Sequence, residues 1–164
     1  MPATYEKIAT TTLGSAQANI TLGSIPSTYT DLVFIFTTIT SVDSSELHLR
    51  FNGDTATNYS VTTLYGDGAS AASGAGVNNN KITFGYPSSS TVPVMGKINV
   101  FSYAGSTFKT CLAEGAFDEN GAGRVMDAVG LWRSTSAITS ITLLPGSGNL
   151  NTGSTATLYG ILRA

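Results

Sequence analysis

The chain has 164 residues, of which 41% are hydrophobic and only 11% are charged, and its net charge is −2. Ordinary soluble domains carry about 25% charged residues, so much of the polar surface must come from the 43 Ser and Thr residues. This composition argues against disorder, and the slightly acidic charge argues against a nucleic-acid partner. The length fits one domain over residues 1–164.

The elements predicted along the chain are short strands, because β-branched and aromatic residues recur in brief runs and strong helix formers are scarce. Alternation is clearest at residues 46–51, where Leu47, Leu49 and Phe51 share one face. His48 and its polar neighbours share the other face, which we expect to be solvated. The predicted strands are residues 5–13, 19–22, 31–40, 46–51, 59–65, 81–86, 97–103, 107–114, 124–132, 137–144 and 155–162.

Turns rich in Gly, Asn and Pro separate these strands, and no helical segment is predicted between them. Antiparallel pairing is expected, since parallel neighbours need long crossover connections. The pattern predicts an all-β fold, an antiparallel β-sandwich of about 8 to 11 strands, with the uniformly apolar residues 32–36 in a central strand. Residues 68–80 and 87–91 are predicted to be exposed loops. Residues 1–12 are either an edge strand or an N-terminal arm that adds a strand to a neighbouring copy.

The chain shows no sign of secretion or membrane insertion. Residues 1–7 include no apolar stretch, so no secretory signal is expected. The longest apolar run, residues 32–36, is far shorter than the roughly 20 residues that span a bilayer. The single cysteine, Cys111, excludes an internal disulfide framework and a multi-cysteine zinc site. We expect neither a membrane partner nor a cofactor.

Few side chains are candidates for catalysis. The only histidine, His48, lies beside Glu46 and Arg50 and would be a possible general base, but a solvated strand face explains it more simply. Cys111 is expected to be a small buried hydrophobe in a strand rather than a reactive thiol. The chain has no G-x-S-x-G serine motif. These observations predict that the protein is not an enzyme.

Paired carboxylates would suit a glycosidase. Asp118 and Glu119 are neighbours in a predicted turn, where adjacent side chains point apart. Asp54 and Asp67 would meet only if the fold brought them together. A hydrolase therefore has no support from the sequence.

One spacing is similar to that of a calcium-binding loop. Asn52, Asp54 and Asn58 match three ligand positions of an EF-hand. The glycine and the final glutamate of that loop are replaced by Thr57 and Thr63, so we expect a turn and no metal bound in this way. A calcium site built from scattered loop oxygens stays open.

A surface rich in hydroxyls and amides, with Trp132 and seven Tyr, would also suit sugar binding, because aromatic rings can stack on sugars. A sole Trp in a predicted strand is more often part of a core or an interface. We favour that second role for Trp132.

At residues 49–60 (LRFNGDTATNYS) the chain resembles a widespread group of tailed-bacteriophage virion structural proteins. The resemblance covers most of the chain in order, and it implies a jelly-roll-like sandwich exposed on a virus particle. The other matching segments are residues 5–13 (YEKIATTTL), 25–32 (IPSTYTDL), 138–143 (ITSITL), 153–154 (GS) and 158–161 (LYGI).

The resemblance implies a non-enzymatic structural protein of the virion, which decorates or cements the capsid as a symmetric homo-oligomer, with a trimer favoured. Its partners would be other copies of itself and the major capsid protein or a tail protein. The alternative is a tail-fibre or adsorption protein that binds a host-surface glycan. A third candidate, an enzyme acting on host polysaccharide, would depend on Asp118, Glu119 or Asp54.

Overall fold

The computed structural model describes residues 4–84 and 91–162. Every helix or strand assigned within these two ranges is a β-strand, as the short alternating segments predict. The strands are β1 (Tyr5–Thr12), β2 (Ile20–Leu22), β3 (Asp31–Thr38), β4 (Leu47–Phe51), β5 (Tyr59–Gly66), β6 (Ala71–Asn79), β7 (Ile82–Thr83), β8 (Val94–Phe101), β9 (Lys109–Phe117), β10 (Arg124–Trp132), β11 (Ile141–Pro145) and β12 (Thr155–Ile161). Neither described range contains a helix of the length and apolarity needed to cross a membrane.

The strands form two sheets in which all neighbouring strands run antiparallel. The larger sheet has eight strands in the order β1-β12-β3-β8-β9-β10-β5-β6, and the smaller has four in the order β2-β11-β4-β7. Strand β3 is paired on both sides, with β12 and β8, which confirms the central position predicted for residues 32–36. The architecture confirms the all-β antiparallel sandwich. The jelly-roll connectivity stays a prediction.

The core lies between the sheets and is built from the alternate residues that face inward. Trp132 of the larger sheet and Phe51 of the smaller sheet meet with ring centroids 5.7 Å apart, so aromatic contacts join the two layers. Phe34 and Phe36 of β3 extend the same core. Gly96 is required beside them, because a Cβ at this position would collide with the Phe36 ring.

Several predicted strands are shorter in the structure, two of them markedly. Strand β7 covers only Ile82–Thr83 of the predicted 81–86, and β11 begins at Ile141 instead of residue 137. Residues 85–86 of the first prediction, and residues 87–90 of the predicted second loop, lie outside the described residues.

The loop predicted at residues 68–80 is wrong, because Ala71–Asn79 form strand β6 at an edge of the larger sheet. The segment is exposed, as predicted, but it pairs with β5 through its backbone from Gly66↔Ala71 to Val61↔Gly76. Ladder hydrogen bonds do not depend on side chains, so a run of Ala, Ser and Gly can form a strand that period-2 patterning does not reveal.

The prediction that the polar face of β4 is solvated is also wrong at the centre of the strand. His48 is only 2% exposed, because β4 is paired on both sides, with β11 and β7. The chain after β11 closes over the imidazole: a Cβ on Gly146 would lie 2.9 Å from His48 Nε2.

Residues 5–12 form strand β1, the second edge of the larger sheet, and pair with β12 of the same chain. The register shifts between Lys7 and Ala9, which marks a β-bulge. In the structure this segment therefore takes the edge-strand position rather than that of a free arm.

Candidate functional site

Trp132 is part of the core and is not a sugar-stacking platform. Its side chain is 3% exposed and packs against Phe51 and Tyr59, with its ring stacked on that of Tyr59 at a centroid distance of 6.3 Å. Its Nε1 donates to Asp54 Oδ2 at 2.7 Å. The expectation that a sole strand Trp belongs to a core is confirmed, and a glycan site built on this ring is ruled out by burial.

The segment with calcium-like spacing is a tight turn, as predicted. Asn52 and Gly53 both have positive φ, 53° and 65°, and Asp54 N–H donates back to the Phe51 carbonyl at 2.9 Å. Asn and Gly are the residues that tolerate this backbone conformation. The Asn52 side-chain oxygen accepts from Thr139 N–H at 2.8 Å, so the turn also fastens the chain that leads into β11.

The oxygens of Asp54 are occupied by N–H donors. Oδ1 accepts from Ala56 N–H at 2.8 Å, while Oδ2 accepts from Asn58 Nδ2 at 3.0 Å and from Trp132. The hydrogen bond from Asn58, followed by the one from Trp132, lowers the pKa of this carboxyl. Among residues 4–84 and 91–162, no cluster of three or more His, Cys, Asp or Glu side chains could hold a metal ion.

His48 lies in a closed polar contact that keeps it neutral. Its Nδ1 is 3.0 Å from Thr83 Oγ1, and its Nε2 is 3.8 Å from Glu46 Oε2. Burial, followed by the nearby charges of Lys81 and Arg50, lowers the imidazole pKa to about 3. A base with so low a pKa holds no proton at neutral pH and is poorly matched to general-base catalysis there.

Cys111 is a buried side chain, as predicted. It is 1% exposed and free, and burial raises the pKa of its thiol to about 12. Because the thiolate is the reactive form, this cysteine is inert at neutral pH.

The four candidate carboxylates do not form a catalytic pair. Asp54 and Asp67 flank opposite ends of β5, an eight-residue strand, which places them roughly 25 Å apart at about 3.4 Å per residue. Asp118 and Glu119 lie in the turn between β9 and β10, as expected.

The fold instead brings Asp67 near Asp118. Both line a shallow cleft of about 250 Å³ with Arg124. Asp67 Oδ1 accepts from the N–H groups of Ala69 and Ser70, and these bonds lower its pKa. Asp118 Oδ1 accepts from Gly121 N–H at 2.9 Å. Both carboxylates therefore stabilise turns, and the lowered pKa of Asp67 is the opposite of what a general acid requires.

Several large apolar side chains are exposed on the side of the eight-stranded sheet that faces away from the core. Along β10, Met126, Ala128 and Trp132 are buried, whereas Val125 and Val129 are 65% and 50% exposed. We call this side the outer face, and its exposed large apolar members are Ile35, Leu64, Met95, Phe101, Leu112, Val125 and Val129.

The strand register groups these residues on the two sides of a charged row. Met95 and Val125 are both opposite Ala116 of β9, while Val129 is directly opposite Leu112. A charged row crosses between them, in which Lys97 Nζ and Glu114 Oε2 are 2.6 Å apart. An open groove of about 570 Å³ follows the surface beside Met95 and Val125. Asp127 is opposite Glu114 in the same row, so the face has apolar residues on both sides of a row with one net negative charge.

Sequence reasoning missed this face, although a signal was present. In β10 the residues on both sides are apolar, Val125, Val129 and Leu131 on one and Met126, Ala128 and Trp132 on the other. Such a strand is either buried on both faces or buried on one and exposed for a partner, and the sequence does not separate the two cases.

A second surface feature is a polar cleft beneath β5 and β6, on the side of the smaller sheet. It has a volume of about 340 Å³, and its lining includes Glu46, Thr63, Tyr65, Asn79 and Thr83. Arg124 lies over the Tyr65 ring, 4.7 Å from its centroid. The cleft thus combines hydroxyl, amide and carboxylate groups with one aromatic ring.

No known protein-family model matches the chain, and no curated protein is similar enough to count as a relative. The resemblance to phage virion proteins therefore stays a prediction.

Proposed function

We propose that the protein is a non-enzymatic structural protein of a phage particle, which decorates or cements the capsid through contacts between symmetric copies. The observation that supports this most strongly is the outer face. Seven large apolar side chains are exposed there on five adjacent strands. Exposed apolar surface concentrated on one face is typical of an interaction site.

The character of the outer face suits binding to a protein shell. Its Lys97–Glu114 ion pair is formed within the chain. Asp127, which is opposite Glu114 in the same row, leaves one negative charge for a partner to match. Interfaces with an apolar centre and few charges are common where proteins associate. On a shell, many copies would turn a modest contact into strong overall attachment.

The side chains that chemistry would need are already engaged in the fold. His48 is enclosed and neutral, Cys111 is buried with a raised pKa, and Asp54 accepts three N–H groups. These positions favour a structural role over a hydrolytic one.

Binding to particles tests this proposal. The protein would be added to purified phage particles that lack it, and the bound fraction measured by co-sedimentation and immuno-electron microscopy. The double variant Val125→Lys/Val129→Lys places two charges on the outer face, and we expect its affinity to fall by at least about tenfold.

Val42→Lys is the matched control, because Val42 is also exposed (42%) but lies outside the strands. This variant should bind like the unchanged protein. If the unchanged protein does not bind particles, or if the double variant binds equally well, the proposal is wrong.

The polar cleft beneath β5 and β6 favours a second candidate, a tail-fibre or adsorption protein that binds a host-surface glycan. Sugars are bound by hydroxyl, amide and carboxylate groups beside an aromatic ring, and Thr63, Asn79, Glu46 and Tyr65 offer this set. Glycan-array binding that is lost in Asn79→Ala and kept in Val125→Lys would support this candidate. Absence of any glycan binding by the unchanged protein would contradict it.

A further inference from the structure

The two sheets have four edge strands, and among the described residues only one of them is both long and uncharged. It is regular over residues 71–76, before its register shifts. Strands β2 and β7 have three and two residues. Strand β1 has eight residues but carries Glu6 and Lys7 and a bulge before Ala9. Strand β6 has nine residues, none of them charged or Pro. Charge, bulges and shortness are the devices that stop edge strands from pairing with other chains, and β6 has none of them from residue 71 to 76.

The side of β6 that pairs with no other described strand offers a defined set of backbone groups. In the turn that leads into β6, Asp67 N–H donates to the Ser70 carbonyl at 3.2 Å, and the pairing then runs without a shift to Val61↔Gly76. Hydrogen bonds alternate along an antiparallel ladder, so Ala72, Gly74 and Gly76 bond to β5. The N–H and C=O groups of Ala71, Ser73 and Ala75 therefore point outward.

We propose that β6 pairs antiparallel with β6 of a second copy of this chain, about a two-fold axis at Ser73, and so joins the two eight-stranded sheets edge to edge. In this register Ser73 faces Ser73 of the other copy, and Ala71 faces Ala75. The outward-pointing N–H and C=O groups of these three residues in one copy then form hydrogen bonds with those of the other copy. Such isologous pairing is the simplest closed symmetry for identical chains.

The side chains of β6 fit its own copy better than they fit the other edge. All facing pairs are small and uncharged, so no like charges meet and no bulk separates the strands. Strand β1 of another copy would bring Glu6, Lys7 and a bulge against the regular stretch of β6.

The pairing also fixes how the outer faces of the two copies are arranged. A two-fold axis perpendicular to the sheet leaves both outer faces on the same side, where they form one continuous surface. The inference rests on the proposed function in this respect, since it names the symmetric contact that would present the outer face to the particle.

Sedimentation equilibrium of the isolated protein tests the pairing. We expect a dimer that dissociates on dilution. Ser73→Lys places two like charges opposite each other at the axis and should raise the dissociation constant by at least about tenfold. Thr12→Lys adds the same charge to the exposed end of the opposite edge, β1, and should leave it unchanged. Far-ultraviolet circular dichroism and thermal unfolding check that both variants fold.

Cross-linking provides a test that does not depend on weakening the contact. Directly opposite residues have Cα atoms about 5.5 Å apart, within the range of a disulfide, so Ser73→Cys should form dimers on mild oxidation. Ala71→Cys is the matched control, since its two copies would lie about 14 Å apart at about 3.4 Å per residue. Cys111 does not interfere, because it is buried.

The outcomes separate this inference from the proposed function. A monomer or a trimer at high concentration, a dimer that Thr12→Lys disrupts as much as Ser73→Lys, or equal cross-linking at residues 71 and 73 would overturn the β6 pairing. Any of these results leaves particle binding through the outer face to its own test. A β6 dimer that does not bind particles would support the pairing and contradict the function.

Discussion

The two faces of the eight-stranded sheet are built by the same strands but have different roles. On β3, Phe34 and Phe36 face the smaller sheet and are buried, whereas Ile35 between them is 43% exposed on the outer face. On β10, Trp132 and Ala128 are buried while Val129 is half exposed. The inner face holds the sandwich together, and the outer face keeps apolar side chains that the fold itself does not bury. This difference separates residues that stabilise the chain from residues available to a partner.

The largest expected effect comes from removing an inner-face ring. Phe34→Ala should lower the free energy of unfolding by about 3 to 5 kcal/mol, because it leaves a cavity at a fully buried site. The adjacent outer-face change, Ile35→Ala, should cost less than about 1 kcal/mol. Urea unfolding followed by Trp132 fluorescence measures both. Equal costs at the two positions would mean that the faces do not differ as described.

The inner face was largely predictable from sequence, because period-2 alternation marks Leu47, Leu49 and Phe51, and uniform apolarity marks the central strand β3. Strand β6 was not predictable in this way, since its pairing rests on backbone bonds alone. The burial of His48 could not be predicted from the sequence either, because it depends on contact with Gly146, almost a hundred residues away along the chain. The outer face was not predicted, because the sequence does not show whether a valine in a strand is exposed or buried.

A pH titration examines the buried polar contact at His48. Its pKa is about 3 in the folded chain against an ordinary value near 6.5, so the unfolded chain takes up the proton first. The contribution of neutral His48 to the free energy of unfolding is therefore fully present above pH 6.5. It declines as the pH falls toward 3, by up to about 1.4 kcal/mol per pH unit. Urea unfolding between pH 4 and pH 7 measures this slope.

The control for this titration is His48→Asn, which keeps a polar group for Thr83 but does not titrate. Its stability should depend less on pH over the same interval. If the two proteins have the same slope, His48 is not buried in the way described.

The turn at Asp54 is expected to contribute more to the stability of the fold than the turn at Asp67. Asp54→Ala leaves the buried Trp132 Nε1 without its acceptor, and a buried polar group without a partner costs about 1 to 3 kcal/mol. Asp67→Ala removes turn bonds at an exposed site and should cost about 1 kcal/mol or less. Thermal unfolding compares them, and a larger loss for Asp67→Ala would contradict the role of Asp54 as the acceptor for the buried Trp132.

The smallest expected change in stability comes from a substitution on the outer face. Lys97 and Glu114 are about half exposed, and exposed ion pairs contribute roughly 0 to 1 kcal/mol. The double variant Lys97→Gln/Glu114→Gln should therefore unfold within about 1 kcal/mol of the unchanged protein, at low and at high salt. A loss of several kcal/mol would show that this pair belongs to the stabilising part of the sheet.

The orientation of the protein on purified particles tests the central claim most directly. A cryo-electron microscopy map that resolves the strands would show which side of the eight-stranded sheet contacts the shell. The account predicts that Ile35, Met95, Leu112 and Val129 lie in that contact. A map in which the outer face is open to solvent while another surface of the chain touches the shell, or in which the protein is absent from the particle, would contradict it.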